Sequence, residues 1–190
     1  MCDDVAPISL VEDDVAGVDT PGDDRSSAAD RGQVDAGREP ARVERARRLV
    51  GYADPGTAAG AALTRLSDLA ARLLRARSAQ ISIVTDVQAV VASASFGGGP
   101  VSHDMPAESG LCWQVVQAGA PVVITDAAGE PEVAGLPAVV SGDIGAYLGV
   151  PLIDVDGSVV GALCVFERGV REWSAHDVDL LTQLAGPALS

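Results

Sequence analysis

The chain has 190 residues, 47% apolar and 3% aromatic, which suits one domain with a core of Val, Leu, Ile and Ala. Its net charge of −14 disfavours nucleic acid and anionic membrane surfaces as partners, and no apolar run is long enough to span a membrane. Three cysteines without CxxC spacing give no disulfide framework, so we expect a reducing, cytoplasmic setting.

The N-terminal segment differs in composition from the rest of the chain. Residues 1–39 carry eleven acidic residues and three arginines, a net charge of −8. Such a segment cannot bury enough apolar surface to offset its chain entropy. We therefore expect a disordered acidic tail over residues 1–40 and one folded domain over residues 41–190, with a leading helix and loop over residues 41–56.

Two helices are predicted first. Pro40 suits a helix N-terminus, and the pattern favours a short helix over Ala41–Val50. A longer helix is predicted over Thr57–Arg77, with Asp68 and Arg72 as an i,i+4 ion pair.

Strand patterns begin after the second helix. Residues Gln80–Thr85 alternate, and Ala89–Phe96 returns the chain. The glycines after Phe96 form no phosphate loop, since the chain has no lysine to complete one. A helix over Ala107–Ala118, closed by Gly119, is predicted next.

A short strand over Pro121–Thr125 is followed by a long irregular connection. Residues Asp126–Gly142 contain two prolines and three glycines, with one helical turn predicted at Pro137–Val140. A connection of this length inside a compact domain is often a binding lid.

The last third of the chain predicts a hairpin and a helix. Strands over Ala146–Val155 and Ser158–Glu167 are nearly free of charge, which indicates central strands covered on both faces. Asp156-Gly157 favours a two-residue turn between them. Ser174 and Asp177 suit a capping box at the start of the last helix. The order of elements favours an α+β fold, one antiparallel sheet with helices packed on one face.

Five segments resemble, in order and spacing, the signature of bacterial GAF domains. They are SGLCWQVV at 109–116, GAPVVITD at 119–126, YLGVPL at 147–152, GALCV at 161–165 and EWSAHD at 172–177. The resemblance implies a GAF/PAS-like antiparallel sheet of about six strands, with a ligand pocket on one face and helices on the other. It also implies a regulatory module in bacterial signal transduction.

The resemblance extends to partners. Terminal helices of such domains commonly form a homodimer, here through segments near Thr57–Arg77 and Ser174–Leu189. The output is commonly a histidine kinase, a cyclic-di-nucleotide enzyme or a protein phosphatase. The chain is then either a fragment of a longer signalling protein or a separate sensor acting through a partner.

The favoured function is a sensory domain that binds an unknown small ligand, dimerises, or does both. We predict no cofactor, no metal site and no catalytic residues, since no triad or GxSxG elbow can be assembled. The candidate pocket residues are Cys112, Trp113, Val116, Asp126, Ile144 and Tyr147.

Two alternatives remain open. The first is a thiol-based redox sensor, or an enzyme like the methionine sulfoxide reductases, using Cys112 near a helix N-terminus. The resemblance to those enzymes implies a second cysteine in the long loop, and Asp126–Gly142 has none. The second is a purely structural dimerisation module.

Other chemically suggestive residues receive plainer interpretations. Cys164 reads as a buried structural thiol, and His103 as a possible ligand contact at the pocket mouth. His176 is expected to be solvated, as are the turn residues Asp154 and Asp156. The cysteine needed for bilin attachment and the asparagine-containing pattern of cyclic-nucleotide binders are both absent.

Overall fold

The structure is a computed structural model that describes residues 38–54, 56–96 and 104–186. Its helices are α1 (Arg38–Tyr52), α2 (Ala58–Leu73), α3 (Leu111–Ala118), α4 (Pro137–Val140) and α5 (Ala175–Ala185). Its strands are β1 (Ser78–Val84), β2 (Val87–Ser95), β3 (Met105–Pro106), β4 (Val122–Ile124), β5 (Ala146–Ile153) and β6 (Val159–Glu167). Most of the predicted acidic tail lies outside the described residues, and α1 begins at Arg38, inside that predicted tail.

The six strands form one sheet in the order β3-β2-β1-β6-β5-β4, and every neighbouring pair is antiparallel. The predicted α+β class and the antiparallel sheet are confirmed. The edge strand β3 has only two residues, too few to show an alternating pattern in the sequence.

The sheet is covered on both faces, so alternate residues of its strands serve two separate cores. The helix-side core packs against α1, α2 and α5; its strand residues include Ile81, Ile83, Leu148, Leu163 and Val165. The pocket-side core packs against α3 and the loop before β5; its strand residues include Val84, Tyr147, Cys164 and Phe166. The nearly charge-free sequence of β5 and β6, in which Glu167 comes last, follows from this double coverage.

The turn between β5 and β6 is longer than predicted. Ile153 pairs with Val159, so five residues connect the strands rather than two. The Asp154 N–H donates to the Ser158 carbonyl at 2.9 Å, and the Asp154 carboxylate accepts from the Asp156 N–H at 2.7 Å. Gly157 has a φ of +78°, a conformation that glycine adopts without strain.

Asp154 is not the solvated turn residue that the sequence predicts. Its side chain is 8% exposed and lies 2.8 Å from the Arg45 Nε of α1. Asp156, which is half exposed, pairs with the same guanidinium. Arg45 therefore joins α1 to the β5–β6 turn.

The predicted helix over Ala107–Ala118 is interrupted. Residues Ala107–Ser109 form a 3₁₀ turn, Gly110 is extended, and α3 begins at Leu111. A Cβ at position 110 would lie 2.0 Å from the Gln88 Oε1, so this glycine lets the Gln88 side chain pass beneath the start of α3. Gly119 ends α3 in the left-handed conformation, as predicted.

Other local predictions are confirmed. A helical turn forms at Pro137–Val140. The Arg72 Nε donates to Asp68 at 2.7 Å. Ser174 and Asp177 form the predicted capping box at the start of α5.

Arg171 ties the C-terminal end of α2 to the end of β6. Its guanidinium donates to the Leu74 carbonyl at 2.5 Å and to the Arg75 carbonyl at 3.1 Å. Both carbonyls lie at the C-terminal end of α2, where helix carbonyls lack partners within the helix. It also donates to Glu167 at 3.3 Å and lies over the Trp173 ring, 4.0 Å from the ring centroid. One planar cation thus serves a helix terminus, a strand end and an aromatic ring.

We predict that Arg171→Lys destabilises the fold by about 1–2 kcal/mol, because lysine keeps the charge but loses the forked geometry. Urea unfolding followed by circular dichroism would measure this. Arg168→Lys is the matched control, since Arg168 is more exposed and makes an ion pair with Asp143. Equal losses in the two variants would contradict the role given to Arg171.

We also predict that Gly161→Ala destabilises the fold by about 1–3 kcal/mol. The new Cβ would lie 2.1 Å from the Ser82 carbonyl oxygen, where β6 pairs with β1. Gly169→Ala is the control, since no atom lies within 4 Å of its added Cβ. Urea midpoints that shift equally in both variants would argue against this close strand contact.

Candidate functional site

A cavity lies between the pocket-side face of the sheet, α3 and the loop before β5. Its lining residues come from all three regions: Gln80, Gln88, Met105, Ser109, Gly110, Leu111, Cys112, Leu136, Ala138, Ile144, Tyr147, Cys164 and Phe166. None of these side chains is charged. The cavity volume that is open to the centres of water molecules is about 20 Å³, which is enough for one or two waters.

Two glutamines give this mostly apolar cavity an unusual polarity. Gln80 on β1 is 2% exposed and Gln88 on β2 is 3% exposed. The Gln80 Nε2 donates to the Ser82 Oγ at 2.7 Å. The Oε1 atoms of both glutamines are buried and have no hydrogen-bond partner within residues 38–54, 56–96 and 104–186. A buried unpaired carbonyl costs about 1–3 kcal/mol. Turning either amide over would leave its amino group in that unpartnered position instead.

Two thiols and a phenol meet at the inner end of the cavity. The Cys112 Sγ in α3 lies 3.9 Å from the Cys164 Sγ in β6, and the Tyr147 hydroxyl donates to the Cys112 Sγ at 3.6 Å. The Cys164 thiol also contacts the Gln80 carbonyl at 3.5 Å. All three side chains are almost completely buried.

The two thiols differ in acidity because of their hydrogen bonds. Contact with the Cys164 thiol holds the pKa of Cys112 below its usual value despite burial, and the Tyr147 hydroxyl, which donates to the Cys112 sulfur, adds to this effect. The same contact and burial raise the pKa of Cys164 well above its usual value. Burial raises the pKa of Tyr147. Cys112 is therefore the sulfur of the pair that ionises first.

The six candidate pocket residues fall into two groups. Cys112, Ile144 and Tyr147 line the cavity. Trp113 and Val116 are half-buried in α3 and pack against the pocket-side core, while Asp126 is exposed at the start of the loop. His103 lies outside the described residues, and His176 is exposed as predicted.

Three residues with reactive or hydrogen-bonding side chains line the cavity but are not among the candidates that the sequence indicates: Gln80, Gln88 and Cys164. Gln80 stands in a predicted strand where a polar residue reads as solvent-facing, and Gln88 falls in the turn predicted before Ala89, whereas β2 begins at Val87. Both glutamines are buried because α3 and the loop cover that face. Cys164 is buried as predicted, but its contact with Cys112 depends on the packing of α3 on β6. The signal in the sequence for a polar cavity lining was the position of each glutamine next to apolar residues.

In residues 38–54, 56–96 and 104–186, no group of three or more His, Cys, Asp or Glu side chains is placed to hold a metal ion. Within the same ranges, the helices are all too short or too polar to cross a membrane.

Solved structures share this fold at low sequence identity. The GAF domain of an Acinetobacter phosphoenolpyruvate-protein phosphotransferase matches with a TM-score of 0.59 and 20% identity, covering 78% of this chain and 90% of that one. A free methionine-R-sulfoxide reductase from Neisseria meningitidis, in complex with its substrate, matches with a TM-score of 0.56 and 18% identity, covering 75% and 81%. A far-red cyanobacteriochrome photoreceptor matches with a TM-score of 0.58 and 12% identity, covering 80% and 93%.

These structures establish the fold and leave the ligand open, since their proteins serve different chemistries. A search of curated proteins finds no match to this chain. The family model for the GAF domain matches residues 57–189, well over half of the sequence and the whole sheet with its cavity. The chain therefore belongs to the GAF domain family.

Proposed function

We propose that this chain is a regulatory GAF domain that binds a small uncharged molecule in its cavity and controls an output domain or a partner protein. The observation that carries the proposal is the pair of buried amide oxygens of Gln80 and Gln88, which have no hydrogen-bond partner among the described residues. A folded domain gains nothing from leaving two such groups unpaired, whereas a ligand with N–H or O–H groups would satisfy them. An ion is disfavoured, because none of the described residues that line the cavity has a charged side chain to offset the ion's loss of hydration.

The size of the cavity makes the loop part of the binding event. A ligand larger than two waters needs more room than the cavity has, and Leu136, Ala138 and Ile144, all carried by the loop over residues 126–145, line one side of it. The base of this loop is closed by a hydrogen bond from the Ala127 N–H to the Gly145 carbonyl at 2.7 Å. A ligand would shift the population of loop positions only by binding them unequally.

Hydrogen bonds of Glu167 connect the loop over residues 126–145 to the end of α2. The Gly145 N–H donates to the Glu167 carbonyl at 2.7 Å, and the Glu167 carboxylate accepts from the Arg77 N–H at 2.8 Å, just after α2. Arg171 bonds both Glu167 and the end of α2. Movement at the base of the loop would therefore alter the hydrogen bonds that Glu167 and Arg171 make at the C-terminal end of α2.

We further propose that α2 and α5 form a homodimer interface in a cytoplasmic protein. Leu69 and Leu73 on α2 are 44% and 49% exposed, and they lie one turn apart on one face. A histidine kinase, a cyclic-di-nucleotide enzyme or a protein phosphatase is the proposed kind of output. The role of the chain itself is non-enzymatic in this proposal.

A structural dimerisation module is the second candidate. The small volume of the cavity favours it, because a domain that only dimerises needs no room for a ligand. The two candidates differ in whether occupancy of the cavity changes stability.

For ligand binding, we predict that acetamide, propionamide or imidazole at millimolar concentration raises the melting temperature of the full chain. Gln88→Met should abolish this rise without lowering the stability of the free protein, since methionine removes a buried unpaired amide at similar volume. Thermal shift with each probe would measure both effects. Gln117→Met, on the exposed face of α3, is the matched control.

Native mass spectrometry of the protein from its own host would complement these probes by revealing a retained ligand. No retained mass, together with no thermal shift for any probe, would favour the structural module over the sensor.

For dimerisation, we predict that the wild-type chain is a dimer by light scattering and that Leu69→Asp/Leu73→Asp is a monomer with the same circular dichroism. Burying two carboxylates in an apolar interface is unfavourable. Val140→Asp is the control, since Val140 is exposed on α4, away from α2. A monomeric wild-type chain, with and without the probes, would rule out this interface.

A further inference from the structure

The cavity holds two thiols in a position to react with each other. Cys112 and Cys164 are 52 residues apart in sequence, yet their sulfur atoms lie 3.9 Å apart, with no side chain needed to move out from between them. A disulfide has an S–S length of about 2.05 Å, so the two sulfurs must approach by roughly 2 Å. A small side-chain rotation with a slight shift of α3 towards β6 would close this gap.

We infer that the cavity admits hydrogen peroxide, or an oxidant of the same size, and that Cys112 and Cys164 are converted by it into a disulfide. This inference does not depend on the proposed binding of a larger ligand. It assigns a redox modification site to a pair of residues, one of which reads from sequence as purely structural.

The volume of the cavity suits this oxidant. Hydrogen peroxide has two oxygen atoms and fits a space that takes one or two waters, whereas glutathione disulfide does not. Met105, Ser109 and Leu136 line the cavity and are partly exposed, so they mark its route to solvent.

The polar groups of the cavity also suit it. Peroxide offers two O–H donors and several acceptor lone pairs, so it satisfies the free amide positions of Gln80 and Gln88 in either orientation of those amides. A molecule held by these glutamines shares the cavity with both sulfurs, since all four residues line it.

The first chemical step takes place at Cys112. Its thiol gives up a proton, and the thiolate attacks one peroxide oxygen; an S–O bond forms, the O–O bond breaks, and the released hydroxide takes a proton to become water. Cys112 is then a sulfenic acid. Cys112 is the attacking sulfur because the Tyr147 hydroxyl donates to it, whereas the Cys164 thiol donates to the Gln80 carbonyl and so keeps its proton.

The second step joins the two residues. The Cys164 sulfur attacks the Cys112 sulfur, an S–S bond forms, the S–O bond breaks, and the hydroxide leaves as water with the proton of Cys164. Overall, two thiols and one peroxide give one disulfide and two waters. The new bond fixes α3 to the central strand β6 and removes the hydrogen bond from Tyr147.

The test uses the full chain with Cys2→Ser, reduced and then treated with hydrogen peroxide at neutral pH. After unfolding and alkylation, mass spectrometry should show the loss of both thiols together and a linked pair of peptides containing Cys112 and Cys164. Cys164→Ser should stop at one added oxygen on Cys112, and Cys112→Ser should leave Cys164 reduced. Cys164→Ala provides the same test if the serine variant does not fold.

Two comparisons separate this site from nonspecific oxidation. In the wild-type chain, the Cys112 and Cys164 thiols should be lost together and linked to each other, whereas Cys2 should appear in no linked pair with either of them. Glutathione disulfide should leave Cys112 and Cys164 reduced. A disulfide between Cys2 and either residue, oxygen addition without a disulfide, or equal reaction with glutathione disulfide would each overturn the inference.

Discussion

The strand β6 is hydrogen-bonded along its length to β1 on one side and to β5 on the other, and its register decides what each face of the sheet contains. In this register Cys164 lies between Gln80 and Gly149 on the pocket side, while Leu163 and Val165 lie on the helix side. A slip by one residue would exchange the two faces, placing leucine and valine in the cavity and a thiol among the helices. The cavity exists because this pairing is fixed.

Glycines at two positions permit the close approaches that this arrangement needs. Gly161 allows β6 to lie against the Ser82 carbonyl of β1, and Gly149 leaves space that the Tyr147 ring fills. The Tyr147 hydroxyl thereby reaches Cys112 across the cavity. The chemistry of the cavity thus rests on backbone positions that carry no chemistry themselves.

The sequence predicts the fold well because its signals are local. The nearly charge-free runs of β5 and β6, the capping box at Ser174 and the helical turn at Pro137–Val140 each follow from nearby residues. Sequence reasoning failed where a distant partner decides the outcome. Gly110 interrupts a helical pattern because Gln88 occupies the space beside it, and Asp154 is buried because Arg45 reaches it from α1.

The difference between features set by nearby residues and features set by distant ones also explains which site residues the sequence predicts. The family resemblance predicts that Cys112, Ile144 and Tyr147 face a pocket, because it implies how the elements of the fold are arranged in space. Gln80 and Gln88 are polar residues in strands, and their burial depends on coverage by α3 and the loop. The approach of Cys164 to Cys112 depends on packing between elements far apart in sequence.

The link between α1 and the sheet has a different physical character from the rest of the fold. The strands are joined by backbone pairing and most helices by apolar packing, with Arg171 adding polar contacts at the end of α2. Among the described side chains of α1 few are buried, chiefly Ala46; the helix is also held by Arg42, which donates to the Val84 carbonyl at 2.9 Å, and by Arg45, which pairs with Asp154 and Asp156 at a partly exposed site. Attraction between such charges weakens as dissolved ions shorten the Debye length to about 8 Å at physiological ionic strength. Dissolved salt should therefore weaken the part of the attachment of α1, the helix that precedes the family-matched region, that depends on Arg45.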